Sequence, residues 1–463
     1  GRAELLTTTP DPDVYEPLRA IKEFTQDDGT NLVFSVGNNK ILKGVETLED
    51  VSSSLTITDD NWKIVSFNDS IYFFQRGYEP LVYNNATNGL EQISDVYVRD
   101  FTDSPTVNPQ GHEVLAAYGR LWTADFDDDK STIYWSDLLI GHSFETGTAG
   151  SINISKVWPD GRDEIVALAA HNGLLIIFGK TSIVVYKGAE DPSTMALADT
   201  VAGVGCVDRD TVQHIGTDVV FLSYTGLRSF GRTIQEKSMP ISSLSRTITK
   251  DIILELQTEG DYFRSVFSPE ESFYLLSFVG RKTTFCFDLR GQLEDGSFRV
   301  TRWPDSVFTA YERLDNGKLY IGTEHGISEY DGYVDNDQTY TFKYYSPSLT
   351  FGDPSRLKFL KKIKPTIVGS VNTTASMKFS YDFSNRYRSL VFATPLSSTN
   401  IAEWGTGEFA VAEFTGDTLE ITRKTLNASG NGSTVVVGLE AEINGSPLSL
   451  QEINILALIG KTV

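Results

Sequence analysis

The run "DFDDDKS", Asp125 to Ser131, places three carboxylates, Asp125, Asp127 and Asp129, at alternate positions. A calcium loop presents its first three oxygen ligands in this way, because a hard cation collects oxygen donors spaced along a turning backbone. The pattern then fails. Lys130 stands where such a loop needs glycine for its sharp turn, and Ser136 stands where it needs a bidentate glutamate. The expectation for Asp125, Asp127 and Asp129 is therefore a solvated acidic hairpin tip that holds no metal.

Other chemistries fare no better. The five histidines, His112, His142, His171, His214 and His325, are scattered, with no pair at zinc-ligand spacing. There is no G-x-S-x-G elbow, no P-loop and no dinucleotide fingerprint. Cys206 and Cys286 lie in apolar strand contexts and read as buried free thiols. The sequons at Asn85, Asn153 and Asn427 are what a Ser/Thr-rich chain gives by chance. The expectation is a protein without catalytic residues, resident metal or cofactor. One alternative stays open: a carbohydrate-binding or glycoside-cleaving β-propeller with a lectin-like C-terminal module, in which the two converging acids of a glycosidase are left unassigned among 62 acidic residues.

Whatever these residues do, repeated hairpins must position them. "NGLLIIFGKTSIVVYKG" (Asn172 to Gly188) returns as "NGKLYIGTEHGISEYDG" (Asn316 to Gly332). Each copy runs from Asn-Gly through apolar residues to a glycine, resumes an apolar alternation and closes on Tyr-x-Gly, which is strand, tight turn and strand. Variants span Gly29 to Gly44, Asp69 to Asn85, Gly119 to Asp137, Gly216 to Gly231 and Glu271 to Leu289, giving seven hairpins before residue 335. Another apolar strand precedes each, as at Ile64 to Phe67, Val114 to Ala117, Ile165 to Ala169 and Val307 to Tyr311.

A unit of three or four short strands recurring about every 45 residues cannot bury both faces alone, and radial stacking solves this. The expected fold is all-β: a β-propeller of about seven blades over residues 1–335, followed by a C-terminal β-sandwich-like domain over 336–463. The competing reading is a generic β-sandwich whose hairpins look alike. No kelch double glycine, WD dipeptide or sialidase Asp-box marks a named propeller family. A single helical excursion is expected at Ser242 to Gln257, where Leu244, Ile248, Ile252 and Leu256 recur at steps of four. In the C-terminal part Met377, Phe379, Tyr381 and Phe383 fall on one strand face at period two. The basic run Ser355 to Pro365 reads as a strand with a solvated cationic face.

The net charge of −22 argues against a surface that grips nucleic acid, which needs clustered Lys and Arg. It suits one past which DNA slides. No apolar stretch is long enough to span a bilayer.

The order of these features resembles the tail-nozzle, or packaged-DNA stabilisation, proteins of short-tailed bacteriophages. The resemblance is carried by "IYWSDLLIGHSF" (Ile133 to Phe144), by the Pro159-Asp160-Gly161 turn, and by the Phe178-Gly179…Ser182-Ile183 hairpin. The Val204-Gly205-Cys206 segment, "KILKG" (Lys40 to Gly44) and "FKYYSPSLTFGDPSRLKFLKKI" add to it, over residues 1 to about 390 with gaps. It implies a non-catalytic virion protein, assembled in the host cytoplasm into a hexameric ring below the portal and adaptor. That ring extends the DNA channel and holds the packaged genome until ejection. The implied partners are further copies of the chain, the portal or adaptor, tail fibre or tail needle proteins, and double-stranded DNA passing without sequence-specific binding, with no membrane. A gate from loops on the sixfold axis is implied too, with Asn84 to Phe101 and Gly188 to Val201 as candidates. Family members carry further residues ahead of the position matching Gly1.

Overall fold

The computed structural model describes residues 4–7, 17–52, 55–236, 243–258, 262–306, 308–335, 338–369, 373–394 and 421–462. Ser242 and Val307, at the ends of two expected elements, lie outside these residues. The chain divides into two compact units, Leu5–Glu329 and Tyr330–Val463, the second grouped with Gly1–Glu4.

The first unit is a β-propeller of seven antiparallel blades. Blade 1 contains Ala20–Thr25, Asn31–Gly37, Lys40–Lys43 and Glu49–Asp50, and blade 2 contains Lys63–Phe67, Ser70–Phe74, Leu81–Asn84 and Gly89–Gln92. Blade 3 contains Glu113–Ala117, Arg120–Ala124, Thr132–Trp135 and Gly150–Asn153, and blade 4 contains Ile165–His171, Leu174–Gly179, Ser182–Lys187 and Ala196–Ala202. Blade 5 has three strands, Gln213–His214, Val219–Ser223 and Gly226–Ser229, followed by the helix Phe230–Glu236. Blade 6 contains Phe263–Ser268, Phe273–Phe278, Thr283–Gln292 and Phe298–Pro304. Blade 7 contains Ala310–Arg313, Leu319–Thr323 and Gly326–Glu329, and takes its outermost strand, Glu4–Leu5, from the start of the chain.

The first strand of each blade lies innermost and touches the first strand of the next. Between blades 4 and 5 the contact is made instead by a 3-10 turn, Arg209–Thr211, and blade 7 meets blade 1 to complete the circle. All seven expected hairpins are present, each forming the second and third strands of its blade.

Period two explains why the middle strands are apolar throughout instead of alternating. Leu175 and Ile177 pack towards Trp122, Ile133 and Trp135 of blade 3. Their neighbours Ile176 and Phe178 pack towards Val219 and Phe221 of blade 5. The Phe178 and Phe221 rings lie 4.8 Å apart between centroids. A blade in mid-ring has no solvent face, so both sets of side chains must be apolar. Each such side chain contributes about 1.5–3 kcal/mol on burial.

Some expectations need correction. Asn84 to Phe101 is not a loop: after Gly89–Gln92 it forms the helix Ile93–Phe101. Ile93, Val96 and Tyr97, spaced for one helical face, are its buried residues. Gly188 to Val201 likewise contains the short 3-10 turn Pro192–Thr194 and most of blade 4's outer strand. The expected helical excursion begins as the 3-10 turn Arg246–Ile248 and becomes α-helical over Thr249–Thr258, between blades 5 and 6. Leu244 and Ile252 join the core that those two blades share.

The second unit packs two sheets around one core. One sheet has the order Tyr340–Tyr345, Val435–Ile443, Thr374–Tyr381, Arg388–Ala393. The other centres on Arg356–Gly369, flanked on one side by three short strands between Ile421 and Gly432 and on the other by Leu448–Thr462. Met377 and Phe379 of the first sheet meet Leu360, Ile363 and Ile367 of the second. Phe383 leaves the expected face, because its strand ends at Tyr381 and residues 382 and 383 turn away with φ of 51° and 58°. The basic strand forms, but not with a wholly solvated cationic face. Lys358 is fully buried, its Nζ donating to the carbonyls of Asp353 and Ser433.

Thr7 fastens the closing strand. Its Oγ1 accepts from the Ile327 N–H at 2.9 Å and donates to the Val45 carbonyl at 2.8 Å, so one hydroxyl ties blade 7 to the first blade. Thr7→Val keeps the shape and removes both bonds. The expected loss is about 1–2 kcal/mol of unfolding free energy in urea titrations. An unchanged midpoint and slope would show that the hydroxyl does not fasten the ring.

Candidate functional site

Seven inner strands converging on one axis force their polar residues together. A cavity of about 260 Å³ opens there, lined from blades 1, 2, 5, 6 and 7. Lys22 donates to Glu312 Oε1 at 2.6 Å, an acceptor shared with the backbone N–H of Glu23. Lys63 spans both oxygens of Glu113, at 2.8 and 2.7 Å, and Glu113 Oε1 also accepts from the Leu168 N–H of blade 4. Burial pushes both the Glu113 and Glu312 carboxyls up, and Lys63 and Lys22 respectively oppose it.

The other side of the cavity comes from "CVDRDTVQ". Asp208 starts the 3-10 turn by accepting from the Asp210 N–H at 2.7 Å. The turn swings Arg209 and Asp210 inward where other blades have an ordinary strand. Arg264, from blade 6, donates from Nη1 to Asp210 Oδ2 at 3.0 Å and from Nε to the Arg19 carbonyl at 3.0 Å. The Arg19 guanidinium in turn covers the Tyr262 ring at 4.1 Å.

Arg209, only 4% exposed, donates from Nη2 to the Asn61 carbonyl at 2.8 Å. Asn61 Oδ1 bridges it to Arg264, 3.3 Å from each. Burial works to raise the Asp210 carboxyl, but Arg264, Arg209 and Lys63 hold it below the usual range. Burial and the Asp210 charge push Asp208 the other way, up to about 7.

His112 sits behind this group, with Nδ1 3.2 Å from Gln75 Oε1 and Nε2 3.4 Å from Asn61 Nδ2. The partners fix the tautomer: Nδ1 donates to the Gln75 oxygen, and Nε2 accepts from the Asn61 amide. Burial, then Arg209, Arg76, Lys63 and Arg264, drive its pKa far down, so the ring is neutral.

The three aspartates singled out from the sequence lie elsewhere. Asp125 is buried rather than solvated and is ion-paired to Arg76 and to Lys130 Nζ at 3.0 Å. Asp127 is exposed at the hairpin tip, and Asp129 turns back to accept from the N–H groups of Ser131 and Thr132 at 2.9 and 3.1 Å. Among the described residues no group of three or more His, Cys, Asp or Glu side chains is arranged to hold a metal ion. Cys206 and Cys286 are both buried, and burial pushes each thiol up to about 12.

The turn and hairpin that carried the family resemblance are joined by one carboxylate. Asp163, just past Gly161, accepts from the N–H groups of Lys180 and Thr181 at 3.0 and 2.9 Å and from Ser182 Oγ at 2.6 Å. Gly205 lies where a Cβ would stand 2.3 Å from the Lys180 backbone, so the next blade's lead-in passes this hairpin only as glycine.

No protein-family model and no curated protein matches this sequence. Solved structures match in part, at low identity. The extracellular domain of BT4673 from B. thetaiotaomicron matches at 10% identity and a TM-score of 0.47, over 78% of this chain and 41% of that one. Streptogramin B lyase matches at 10% and 0.39 over 70% and 96%, and the WD40 β-propeller domain of Doa1 at 10% and 0.39 over 71% and 95%. This chain thus spans about two-fifths of the BT4673 domain. The propeller assignment rests on the strand pairing described above.

The neutral His112 has a measurable consequence. Its pKa lies below the ordinary 6.5, so below that pH the unfolded chain binds a proton that the folded chain refuses, and stability falls. The stability difference between wild type and His112→Gln should therefore shrink from pH 6.5 downwards, by up to about 1.4 kcal/mol per pH unit. A difference that stays constant between pH 7.5 and 5.5 would mean that the ring charges in place.

Proposed function

We propose that this protein is a non-catalytic assembly subunit, the ring-forming nozzle of a short-tailed phage virion. In this reading it lines and closes the DNA channel below the portal. One observation carries the assembly part. The fifteen-residue strand Leu448–Thr462 pairs along one edge only among the described residues, and it exposes Leu456, Leu458 and Ile459 at 49%, 60% and 52%. Phe359, partner of Leu458 on the adjacent strand, is exposed as well. A long apolar edge is a template for another chain; three register shifts against Arg356–Gly369 bend this one, and its exposed apolar side chains keep it a contact surface. In this reading a second copy of the same chain covers the surface, since a ring is built from one repeated heterologous contact.

Two further features support the reading. The propeller is stiff, with every mid-ring blade buried on both faces. The net charge of −22 disfavours adhesion of DNA, which requires cations to displace its counterions. A glycan-cleaving propeller draws less support. Among the described propeller residues, Tyr224 is the one prominently exposed aromatic, and the axial acids Asp210, Glu113 and Glu312 are each engaged by an arginine or lysine.

Native mass spectrometry and negative-stain imaging test this directly. The purified protein, alone or with its portal-side neighbours, should form closed sixfold rings. Leu458→Asp with Ile459→Asp should shift the population to folded monomers. A persistent wild-type monomer in both settings, or release of sugars from glycans, would reverse the reading.

A further inference from the structure

The negative charge is spread unevenly along the chain. Residues 1–329 hold 49 acidic and 28 basic side chains, a balance of −21, whereas residues 330–463 hold 13 and 12. In the second unit the cations gather on one surface. Along Arg356–Gly369 the buried Ile363, Pro365 and Ile367 alternate with Lys362, Lys364 and Thr366, which therefore share the solvent side of the sheet. The adjacent strand sets the exposed Arg423 opposite Thr366, and Lys361 and Lys424 are exposed beside this row. Among the described residues none of these five cations forms an ion pair, whereas Arg356 at the head of the strand pairs with Asp353, and Lys378 of the other sheet with Glu440. The register sets one acid, Glu452, opposite Thr366 from the other side. Apolar surface adjoins the cations: the exposed Leu456 lies opposite Lys362, and the exposed Leu458 opposite the exposed Phe359.

Apolar side chains supply contact area and the charges around them supply orientation and encounter rate, which is the make-up of a protein-binding surface. Its partner must be acidic. The chain itself offers such a surface in the −21 of residues 1–329, and a contact between two different surfaces of one chain is the heterologous kind that closes into rings. Nucleic acid would meet the same cations, but the net charge of −22 repels it. We infer that this face of the second unit docks onto the propeller of a second copy of the chain, its lysines and Arg423 against carboxylates there and Phe359, Leu456 and Leu458 in the contact. The inference rests on the self-association proposed above and adds which unit of the neighbour is met and what steers it.

The test is carbodiimide cross-linking of the full chain, with heavy-isotope-labelled and unlabelled protein mixed in equal amounts, and analytical ultracentrifugation in parallel. Zero-length cross-links between a heavy and a light copy should join Lys361, Lys362 or Lys364 to carboxylates within residues 1–329. The triple variant Lys361→Glu, Lys362→Glu, Lys364→Glu should weaken self-association by at least about tenfold, and raised salt should weaken that of wild type. Undiminished association of the triple variant, or intercopy cross-links from these lysines only to residues 330–463, overturns the inference and leaves the ring reading standing. A monomeric wild type with cross-links only inside single copies overturns both. Tight binding of a short double-stranded DNA in place of self-association, read by fluorescence anisotropy, overturns the inference in favour of a phosphate partner. Should the triple variant fail to fold, the wild-type cross-links decide.

Discussion

Each mid-ring blade has two apolar faces and only one strand's thickness with which to hide them. That constraint governs the propeller. A four-stranded sheet with Leu175 and Ile177 on one side and Ile176 and Phe178 on the other has no stable exposed state, so it needs a neighbour on both sides. The requirement passes from blade to blade and ends only where blade 7 meets blade 1. There the chain uses its own beginning: Leu6 and Thr7 donate backbone N–H groups to the Ile327 carbonyl at 2.9 and 3.2 Å, and Leu18 and Ile21 share a core with Ala310 and Ile327. Closure is thus a packing necessity before it is a functional feature.

Closure also fixes the electrostatics. Convergence of the inner strands brings Lys63, Arg209 and Arg264 into a space where water screens little, so each needs a partner and each shifts its neighbours. Asp208 and Asp210, two residues apart, have different settings: one sits in the turn's cap, the other between two guanidinium groups. A neutral His112 follows from its burial and then from the same crowding of positive charge.

The hairpins were legible because Asn-Gly turns and period-two apolar runs are local signals, and the seven copies lie where the sequence places them. The inner strands at Ile64, Val114 and Ile165 were legible for the same reason. The helix Ile93–Phe101 carried a readable signal in Ile93, Val96 and Tyr97, which the polar loop around it masked. The outer strand Glu4–Leu5 could not be found locally, since two residues have no period and their partner lies at the far end of the propeller. Nor could the axial site: Lys63, Arg209 and Arg264 belong to blades 2, 5 and 6, and nothing in their local sequence marks them as neighbours. Asp125 misled for a similar reason, since its partner Arg76 comes from the preceding blade. In the second unit, Lys358 broke the expected pattern because two carbonyls, those of Asp353 and Ser433, satisfy its ammonium inside the sandwich.

A ring closed by mutual burial should open as a whole. Native-state amide hydrogen exchange reads this directly, by comparing peptides from the seam strands Leu319–Thr323 and Gly326–Glu329 with peptides from Leu174–Gly179 and Ser182–Lys187 in blade 4. The account expects the most protected amides of both regions to exchange through one opening of equal free energy, with the same dependence on denaturant. Exchange at the seam through a smaller local opening, while blade 4 stays protected, would contradict it.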